Sequence, residues 1–333
     1  MYNEIQSLVL NLNIEIIIKE IIKIKQKNPS TFLGKGNLLR LKDIIIKYKI
    51  DLLIINNNLS PSQQRNLEKL LNIKVTDRSG IIIEIFSKRA STKESRLQVE
   101  LAELIYRKSR LVRAWTHLER QRGGTTFIGG PGELQIELDK RLIQSKIVRI
   151  KKRLVKVKAR RKIQRKSRLN SNFQTFALVG YTNAGKTKLF NKLTKKKQSS
   201  QNKLFETLDT KISKFYLNDH QVGIIDTVGF INNIPTQLIE SFHATLEEIN
   251  SANFIINVID VNDINAHDKI LTTKRILKET GVSEDKISKM INVYNKIDLS
   301  NSNYKQTQNR IFISALTGEG IENLKDSIER KLT

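Results

Sequence analysis

One stretch decides the fold of the second half of the chain: Gly180-Tyr181-Thr182-Asn183-Ala184-Gly185-Lys186-Thr187. It has the pattern GxxxxGK[ST], and it lies between the apolar run 176–179 and sequence typical of a helix. In this context the pattern predicts a phosphate-binding loop, whose glycines let backbone N–H groups surround the phosphates. We expect Lys186 to contact the β- and γ-phosphates and Thr187 to bind Mg²⁺ directly. The loop alone leaves ATP and GTP open.

Two further elements predict the γ-phosphate and metal side of the same site. In Asp226-Thr227-Val228-Gly229, Asp226 is expected to bind Mg²⁺ through water, and the Gly229 N–H to contact the γ-phosphate. Within Phe205-Glu206-Thr207-Leu208-Asp209, Thr207 is the candidate switch residue that completes the Mg²⁺ shell only while the γ-phosphate is present. The alternative for Thr207 is a surface hydroxyl. We predict Lys186, Thr207 and Gly229 as the catalytic groups.

The base is predicted by the last two elements. In Asn295-Lys296-Ile297-Asp298, the Asp298 carboxylate can accept from the ring N–H and the exocyclic amine of guanine. Adenine lacks both donors on that edge and would leave the carboxylate unpaired, which disfavours an ATP-driven protein. Ser314-Ala315-Leu316 supplies the backbone expected to contact guanine O6. The phosphate-binding loop, Asp226–Gly229 and these last two elements each follow a predicted strand, and together the four predict a GTP-binding domain.

The pattern of apolar runs predicts an α/β protein with three segments. Residues 171–333 are expected to form a doubly wound, mostly parallel sheet with the phosphate-binding loop. Residues 1–90 predict a small α/β domain, in which Ser60-Pro61-Ser62-Gln63 has the pattern of a helix start with a capping box. Residues 91–170 predict an antiparallel helical hairpin with a glycine-rich tip at Gly123–Gly132, for which a flexible connector is the alternative. Its second helix is expected to run from Glu133 to Arg168.

Charge is concentrated in that second helix. The chain has 59 basic and 33 acidic side chains, a net charge of +26, and residues 140–168 contain 15 basic residues and no acidic one. A solvated helix in a lysine-rich sequence is the simpler interpretation, but it does not account for the arginines or for the exclusion of acids. We therefore predict a nucleic-acid phosphate-binding surface. The arginines expected to contact RNA are Arg149, Arg153, Arg160, Arg161, Arg165 and Arg168.

Composition excludes several classes of protein. The 333 residues are 39% hydrophobic and 28% charged, which suits a folded chain, and the lack of cysteine excludes disulfides and thiolate metal sites. Charged residues interrupt every apolar run long before the roughly 18 residues of a membrane span. The first residues do not have a charged-then-apolar pattern, so we expect no secretion signal. We expect a cytoplasmic monomer without a membrane span, and peripheral membrane association stays open.

The motifs above resemble the HflX family of ribosome-associated GTPases. Stretches of the first half share the resemblance: Leu33–Gly36, Leu59–Gln63, Asp77-Arg78, Arg89-Ala90, Gln98–Ala102 and Gly130–Glu133. The resemblance implies a GTPase that binds GTP and GDP and docks on the large (50S) ribosomal subunit and its rRNA. It further implies a role in ribosome rescue, splitting, quality control or biogenesis.

Some positions depart from the family pattern. Lys188 stands where a threonine is usual, Gly129 where the tip usually has arginine, and the chain ends 13 residues after Gly320, before the further domain of many members. Phe230 follows the DxxG element where many GTPases have a water-orienting glutamine, so unassisted hydrolysis is expected to be slow. The alternative function is an RNA-binding assembly or anti-association factor in which GTP only licenses docking. Asn183 resembles the position at which some small GTPases hold K⁺, with a loop amide bonded to its own backbone as the alternative.

Overall fold

A computed structural model describes residues 2–111, 131–169, 173–195, 205, 207–217, 220–231, 247–300, 304 and 310–332. The predicted glycine-rich tip lies outside these ranges as far as Gly130, and this part includes Gly129. Glu206 of the predicted switch segment also lies outside them. The α-helices are α1 Tyr2–Leu10, α2 Lys35–Tyr48, α3 Pro61–Leu71, α4 Arg78–Arg89, α5 Lys93–Leu111, α6 Pro131–Leu169, α7 Lys186–Thr194, α8 Ala266–Glu279, α9 Glu284–Ser288 and α10 Ile321–Glu329. The strands are β1 Leu52–Ile55, β2 Lys74–Asp77, β3 Thr175–Val179, β4 Lys211–Leu217, β5 His220–Asp226, β6 Phe254–Asp260, β7 Ile291–Asn295 and β8 Ile311–Ile313.

The chain divides into two compact units. The first comprises residues 1–88, 96–154 and 235–238, and the second comprises residues 89–95, 155–234 and 239–333. The predicted α/β fold class, with a phosphate-binding-loop domain after a small α/β region, is confirmed. None of the described helices is long and apolar enough to cross a membrane.

The first unit contains a two-stranded parallel sheet. β1 pairs with β2 in the register Leu52 to Lys74, and α2 and α3 supply apolar side chains to a core that includes Leu41, Leu67 and Val75. The predicted start of α3 is confirmed, because the Ser60 and Gln63 side chains each accept from the other residue's backbone N–H.

Helix α4 was not predicted. Its run Ile81-Ile82-Ile83 consists of β-branched residues and lacks the 3–4 spacing of an amphipathic helix. The structure buries all three side chains together with Ile85 and Phe86. The helix is therefore enclosed on several sides, and packing outweighs the weak intrinsic preference of isoleucine for helix.

Helices α5 and α6 each bury apolar side chains. Leu97 and Leu101 of α5 are buried, and so are Ile147, Ile150 and Leu154 of α6. Towards the other end of α5, Lys108 donates to the Gln144 side chain of α6 at 2.6 Å. Helix α6 has 39 residues, which corresponds to a length of about 58 Å, and it contains the whole acid-free segment 140–168.

The second unit contains a six-stranded sheet in the order β4-β5-β3-β6-β7-β8. All neighbours are parallel except β4 and β5, which pair antiparallel with Leu217 opposite His220. Strand β4 was not predicted; it is an edge strand whose exposed and buried residues alternate. Because β3, β5, β6, β7 and β8 are parallel, their carboxyl ends lie at one edge of the sheet, and the loops that follow them meet there.

Candidate functional site

A cavity of about 400 Å³ lies at this carboxyl edge. All four predicted nucleotide elements contribute to it, together with the predicted switch residue. Its lining residues are Thr182, Asn183, Gly185, Lys186, Thr187, Lys188, Phe205, Thr207, Thr227, Gly229, Asn295, Lys296, Asp298, Leu299, Ala315 and Leu316. Sequence reasoning missed Leu299 as a lining residue, and it singled out Lys188 only as a departure from a family pattern.

The phosphate-binding loop joins β3 to α7. Gly185 precedes α7 with a φ of 95°, and a Cβ atom there would lie 2.1 Å from the Asn295 amide nitrogen. A larger residue is therefore excluded by both backbone conformation and space. The loop is fixed to the segment after β5, because the Thr182 N–H donates to the Phe230 carbonyl at 2.8 Å and the Phe230 N–H donates to the Gly180 carbonyl at 3.0 Å.

Lys186 is buried at the start of α7. Its ammonium group donates to the carbonyls of Gly180 at 3.0 Å and Tyr181 at 2.8 Å. Burial lowers the pKa of Lys186 to about 8, although nearby Asp226 acts in the opposite direction. A desolvated ammonium beside a loop of backbone N–H groups can bind a polyphosphate strongly, and the anion in turn would favour the protonated lysine.

Two hydroxyls and one carboxylate converge beside the loop. The hydroxyls of Thr187 and Thr207 lie 2.7 Å apart, and each donates to Oδ2 of Asp226 at 2.9 Å. Asp226 is fully buried, and its Oδ1 has no hydrogen-bond partner among the residues that the structure describes. Burial raises the pKa of Asp226, while Lys186 and the two hydroxyls act against that rise.

This oxygen cluster fits Mg²⁺. Hydroxyl and carboxylate oxygens are the ligand type that the ion prefers, and it usually takes only one or two protein carboxylates and keeps several waters. The buried Oδ1 of Asp226 supplies an acceptor that a metal-bound water can satisfy. In the described part of the chain, no group of three or more His, Asp or Glu side chains offers an alternative metal site.

Gly229 lies where a side chain would obstruct the phosphate region. A Cβ atom at this position would lie 2.8 Å from the Cα atom of Thr182 and 2.9 Å from the ammonium of Lys186. The next residue, Phe230, does not line the cavity; its ring is 5% exposed and packs in the core with Ala177 and Tyr181.

The opposite end of the cavity is held by hydrogen bonds between loops. The Asn295 amide donates to the Ala184 carbonyl at 2.8 Å, and its oxygen accepts from the Ala315 N–H at 2.9 Å. The Ser314 hydroxyl donates to Oδ1 of Asp298 at 2.5 Å. A carboxylate oriented in this way, with a backbone N–H-rich loop beside it, can distinguish guanine from adenine.

Several predicted residues support the cavity without lining it. Gly180, Tyr181, Ala184, Asp226 and Ser314 do so through the hydrogen bonds given above. Leu208 and Val228 are buried apolar side chains, and Ile297 begins a short 3₁₀ turn.

Asp209 lies apart from the cavity lining. Its carboxylate accepts hydrogen bonds from Ser91 and Thr92, which lie immediately before α5. No feature of the sequence indicated this pairing, because more than a hundred residues separate the partners.

The predicted RNA-contacting arginines all lie on α6. Arg149 and Arg153 are exposed. The side chains of Arg160, Arg161, Arg165 and Arg168 lie outside the described part, and for these positions the structure gives only the helical backbone.

Comparison with known families matches almost the whole chain. Residues 1–87 match the model of a GTP-binding GTPase N-terminal region, and residues 89–168 match the model of a GTP-binding GTPase middle region. Residues 175–296 match a family described as 50S ribosome-binding GTPase.

Relatives and solved structures agree with these models. GTPase HflX of Magnetococcus marinus is 43% identical over 98% of this chain and 77% of that protein. GTPase HflX of Escherichia coli is 38% identical over 99% of this chain and 78% of that protein. A crystal structure of a GTP-binding protein from Sulfolobus solfataricus in complex with GDP is 26% identical, with a TM-score of 0.52 over 99% of this chain and 94% of that one. With its phosphate-binding loop at the start of α7 and this similarity along its full length, the chain belongs to the HflX family of GTPases.

Proposed function

We propose that this chain hydrolyses GTP with Mg²⁺ and docks on the large ribosomal subunit, where it acts in ribosome rescue or splitting, translation quality control or ribosome biogenesis. The observation that carries the nucleotide chemistry is the cluster of Lys186, Thr187, Thr207 and Asp226 at one end of a cavity whose other end holds Asp298. The functional division that we propose is a nucleotide domain at 171–333, a docking hairpin at 91–170 and an accessory domain at 1–90.

Each group in the cluster has a role in this proposal. Lys186 binds the β- and γ-phosphates, and the Gly229 N–H donates to the γ-phosphate. Thr187 and Thr207 would bind Mg²⁺ directly and Asp226 would bind it through water, and the bound ion would neutralise charge that develops on the phosphate oxygens. In this proposal Thr207 leaves the metal ion when the γ-phosphate is lost. The nucleotide state thereby changes the conformation of the segment 205–209.

The attacking water lacks a side-chain guide at position 230. The phenyl ring of Phe230 is buried in the core and has no hydrogen-bonding group. We therefore expect slow unassisted turnover, roughly 10⁻⁴–10⁻² s⁻¹, as in small GTPases without an activator. The same observation favours the second candidate function, an assembly or anti-association factor in which GTP licenses docking and hydrolysis is vestigial.

The docking surface in this proposal is the basic part of α6. Fifteen basic residues and no acidic one occur within 29 positions of one helix, and Arg149 and Arg153 are exposed. Such a helix can follow the phosphates of ribosomal RNA, and its binding should then weaken steeply with added salt because counterions are released. We further propose that a K⁺ ion binds beside Asn183, which lines the cavity and has a φ of 63°. A monomeric state and a cytoplasmic location complete the proposal.

The deciding experiment measures single-turnover GTP hydrolysis with and without saturating large ribosomal subunits. We expect the subunits to raise the rate by about tenfold or more, which corresponds to about 1.4 kcal/mol or more of barrier. If the subunits bind the GTP form and leave the rate within twofold of the free value, the docking-factor function replaces the hydrolytic one.

The docking role of α6 is tested by cosedimentation with the large subunits. Arg149→Glu together with Arg153→Glu should weaken binding and leave GTP affinity intact. The matched control is Lys274→Glu together with Arg275→Glu, which makes the same charge change on exposed positions of α8. Equal loss of binding in both double variants would show a general charge effect and reject a docking role for α6.

A further inference from the structure

Asp209 makes a contact that the nucleotide chemistry does not use. One of its carboxylate oxygens accepts from the Ser91 N–H at 3.2 Å, the Ser91 hydroxyl at 2.5 Å and the Thr92 N–H at 3.1 Å. The other accepts from the Thr92 hydroxyl at 2.5 Å. Four donors from two adjacent residues therefore surround one carboxylate, and hydrogen bonds to an ionised acceptor are about twice as strong as neutral ones.

The ionisation of Asp209 agrees with this arrangement. Partial burial would raise the pKa of Asp209, but hydrogen bonds from Ser91, Thr92 and Ser95 outweigh it and hold the pKa below its ordinary value.

The position of this contact in the chain gives it a consequence for the site. Asp209 is two residues after Thr207, whose hydroxyl bonds Thr187 and Asp226, and Leu208 between them is buried. Strand β4 begins two residues later, at Lys211. On the other side of the contact, Thr92 caps α5, because its hydroxyl accepts from the Ser95 N–H at 3.2 Å. The residues that hold Asp209 thus directly precede α5.

We propose that Asp209 is a positioning residue, which holds Thr207 at the metal cluster and couples the presence of the γ-phosphate to the start of α5 through Ser91 and Thr92. The inference rests on the proposed function, because it uses Thr207 as a γ-phosphate-dependent ligand. A segment held at both 207 and 209 enters the metal-competent arrangement with less loss of conformational freedom than one held at 207 alone. By reciprocity, displacement of Ser91 and Thr92 would weaken the preference for GTP.

The test compares affinities for a non-hydrolysable GTP analogue and for GDP, in the full-length chain, with saturating Mg²⁺ and with EDTA. Asp209→Asn removes the charge and should lower the Mg²⁺-dependent preference for the GTP analogue by about tenfold, while GDP affinity in EDTA stays within twofold. Thr92→Asp changes the other partner of the contact and should lower the same preference, because aspartate keeps the helix cap but repels Asp209. Combining the two should recover part of the loss, because the new asparagine amide can donate to the new carboxylate; an additive loss would reject direct coupling.

Matched controls separate this inference from the proposed function. Asp268→Asn changes an exposed aspartate on α8, and Thr92→Ser keeps the hydroxyl; both should retain the preference. Thr207→Ala tests the ligand itself. If Thr207→Ala abolishes the preference and Asp209→Asn does not change it, the positioning role alone is wrong. If Thr207→Ala has no effect, the metal assignment in the proposed function is wrong and the inference fails with it.

A second measurement detects the coupling in the wild-type chain. The N–H groups of Ser91 and Thr92 donate to Asp209, so their hydrogen exchange should be about tenfold slower with the GTP analogue and Mg²⁺ than with GDP. A purely structural contact would give equal exchange in the two states, and that result would overturn the proposal.

Discussion

The two ends of the nucleotide cavity differ in what their polar groups bond within the protein. At the base end, defined by Asn295, Asp298, Ser314 and Ala315, hydrogen bonds join the loops to each other and hold Asp298 at the cavity. At the phosphate end, defined by Lys186, Thr187, Thr207 and Asp226, the groups that should bind nucleotide and metal bond one another or loop carbonyls instead.

This difference separates recognition from switching. The base end can bind guanine without giving up its internal hydrogen bonds, so it is preorganised for either nucleotide. The phosphate end must exchange its internal contacts for those of the ligand, and its two charged groups have shifted pKa values in the protein alone. Part of the binding energy gained at the phosphate end is used to rearrange these contacts. The rearrangement can therefore depend on whether the γ-phosphate is present.

The largest effect is expected at the phosphate end. Lys186→Ala removes the protein cation that the proposal assigns to the β- and γ-phosphates, and turnover should fall by about 10³-fold, at the upper end of the effect of deleting one electrostatic stabiliser. Single-turnover hydrolysis at saturating GTP measures this. The exposed Lys274→Ala on α8 serves as the control and should hydrolyse at the wild-type rate. Loss of guanosine binding in Lys186→Ala would contradict the separation of the two ends, because guanosine carries no phosphate.

The next effect tests the base end. Asp298→Asn replaces one acceptor by a donor opposite the guanine amine, and GTP affinity should fall by about 10–100-fold, the equivalent of one or two charged hydrogen bonds. Xanthosine triphosphate should bind the variant better than the wild type, because its ring edge presents an acceptor there. Competition binding at equilibrium measures both nucleotides. An unchanged preference for guanine would mean that Asp298 does not contact the base.

The sequence predicts the ligand-binding groups of both ends better than it predicts the elements around them. Lys186 and Asp298 are found from local patterns, because backbone wrapping of phosphates and recognition of a base edge need particular residues at fixed spacing after a strand. Strand β4 was missed because an edge strand depends on its pairing with β5, and Lys211-Ile212-Ser213 carries only a weak alternation.

Tertiary contacts account for the rest of what was missed. Helix α4, whose isoleucine side chains are buried, was missed because an isoleucine run favours strand by intrinsic preference. The position of Asp209 could not be predicted, since four donors on Ser91 and Thr92 reach it only in the folded chain. The burial of the Phe230 ring was equally invisible, although its lack of a polar group was plain from its identity.

The third effect is a pH dependence at the phosphate end alone. The pKa of Lys186 is about 8 in the protein without nucleotide, and bound phosphate should raise it. Binding therefore takes up a proton above pH 8, and GTP affinity should fall by about tenfold between pH 7 and pH 9, where only about a tenth of the lysine stays charged. Lys186→Arg stays charged throughout and should remove this slope, while ionisation of the guanine ring affects both proteins equally. Identical slopes in the two proteins would assign the pH dependence to the base.

The smallest effect concerns stability and uses the other shifted group. Burial raises the pKa of Asp226, so folding disfavours its charged form, and this cost is present at pH 7 and disappears as the pH falls below the unfolded value near 4. Asp226→Asn keeps an oxygen that can accept from Thr187 and Thr207 without the charge. Without Mg²⁺ or nucleotide at pH 7, the free energy of unfolding of the variant should be higher than that of the wild type, because the substitution removes the charge that burial disfavours. Urea denaturation in EDTA measures the gain, and the exposed Asp268→Asn, which changes the same chemical group, should show none.

The gain should vanish near pH 4, and Mg²⁺ should stabilise the GTP-bound wild type but not the variant. A gain that persists at pH 4 would show that shape rather than charge limits the phosphate end, and a destabilised variant would show that Asp226 is preorganised in the way Asp298 is.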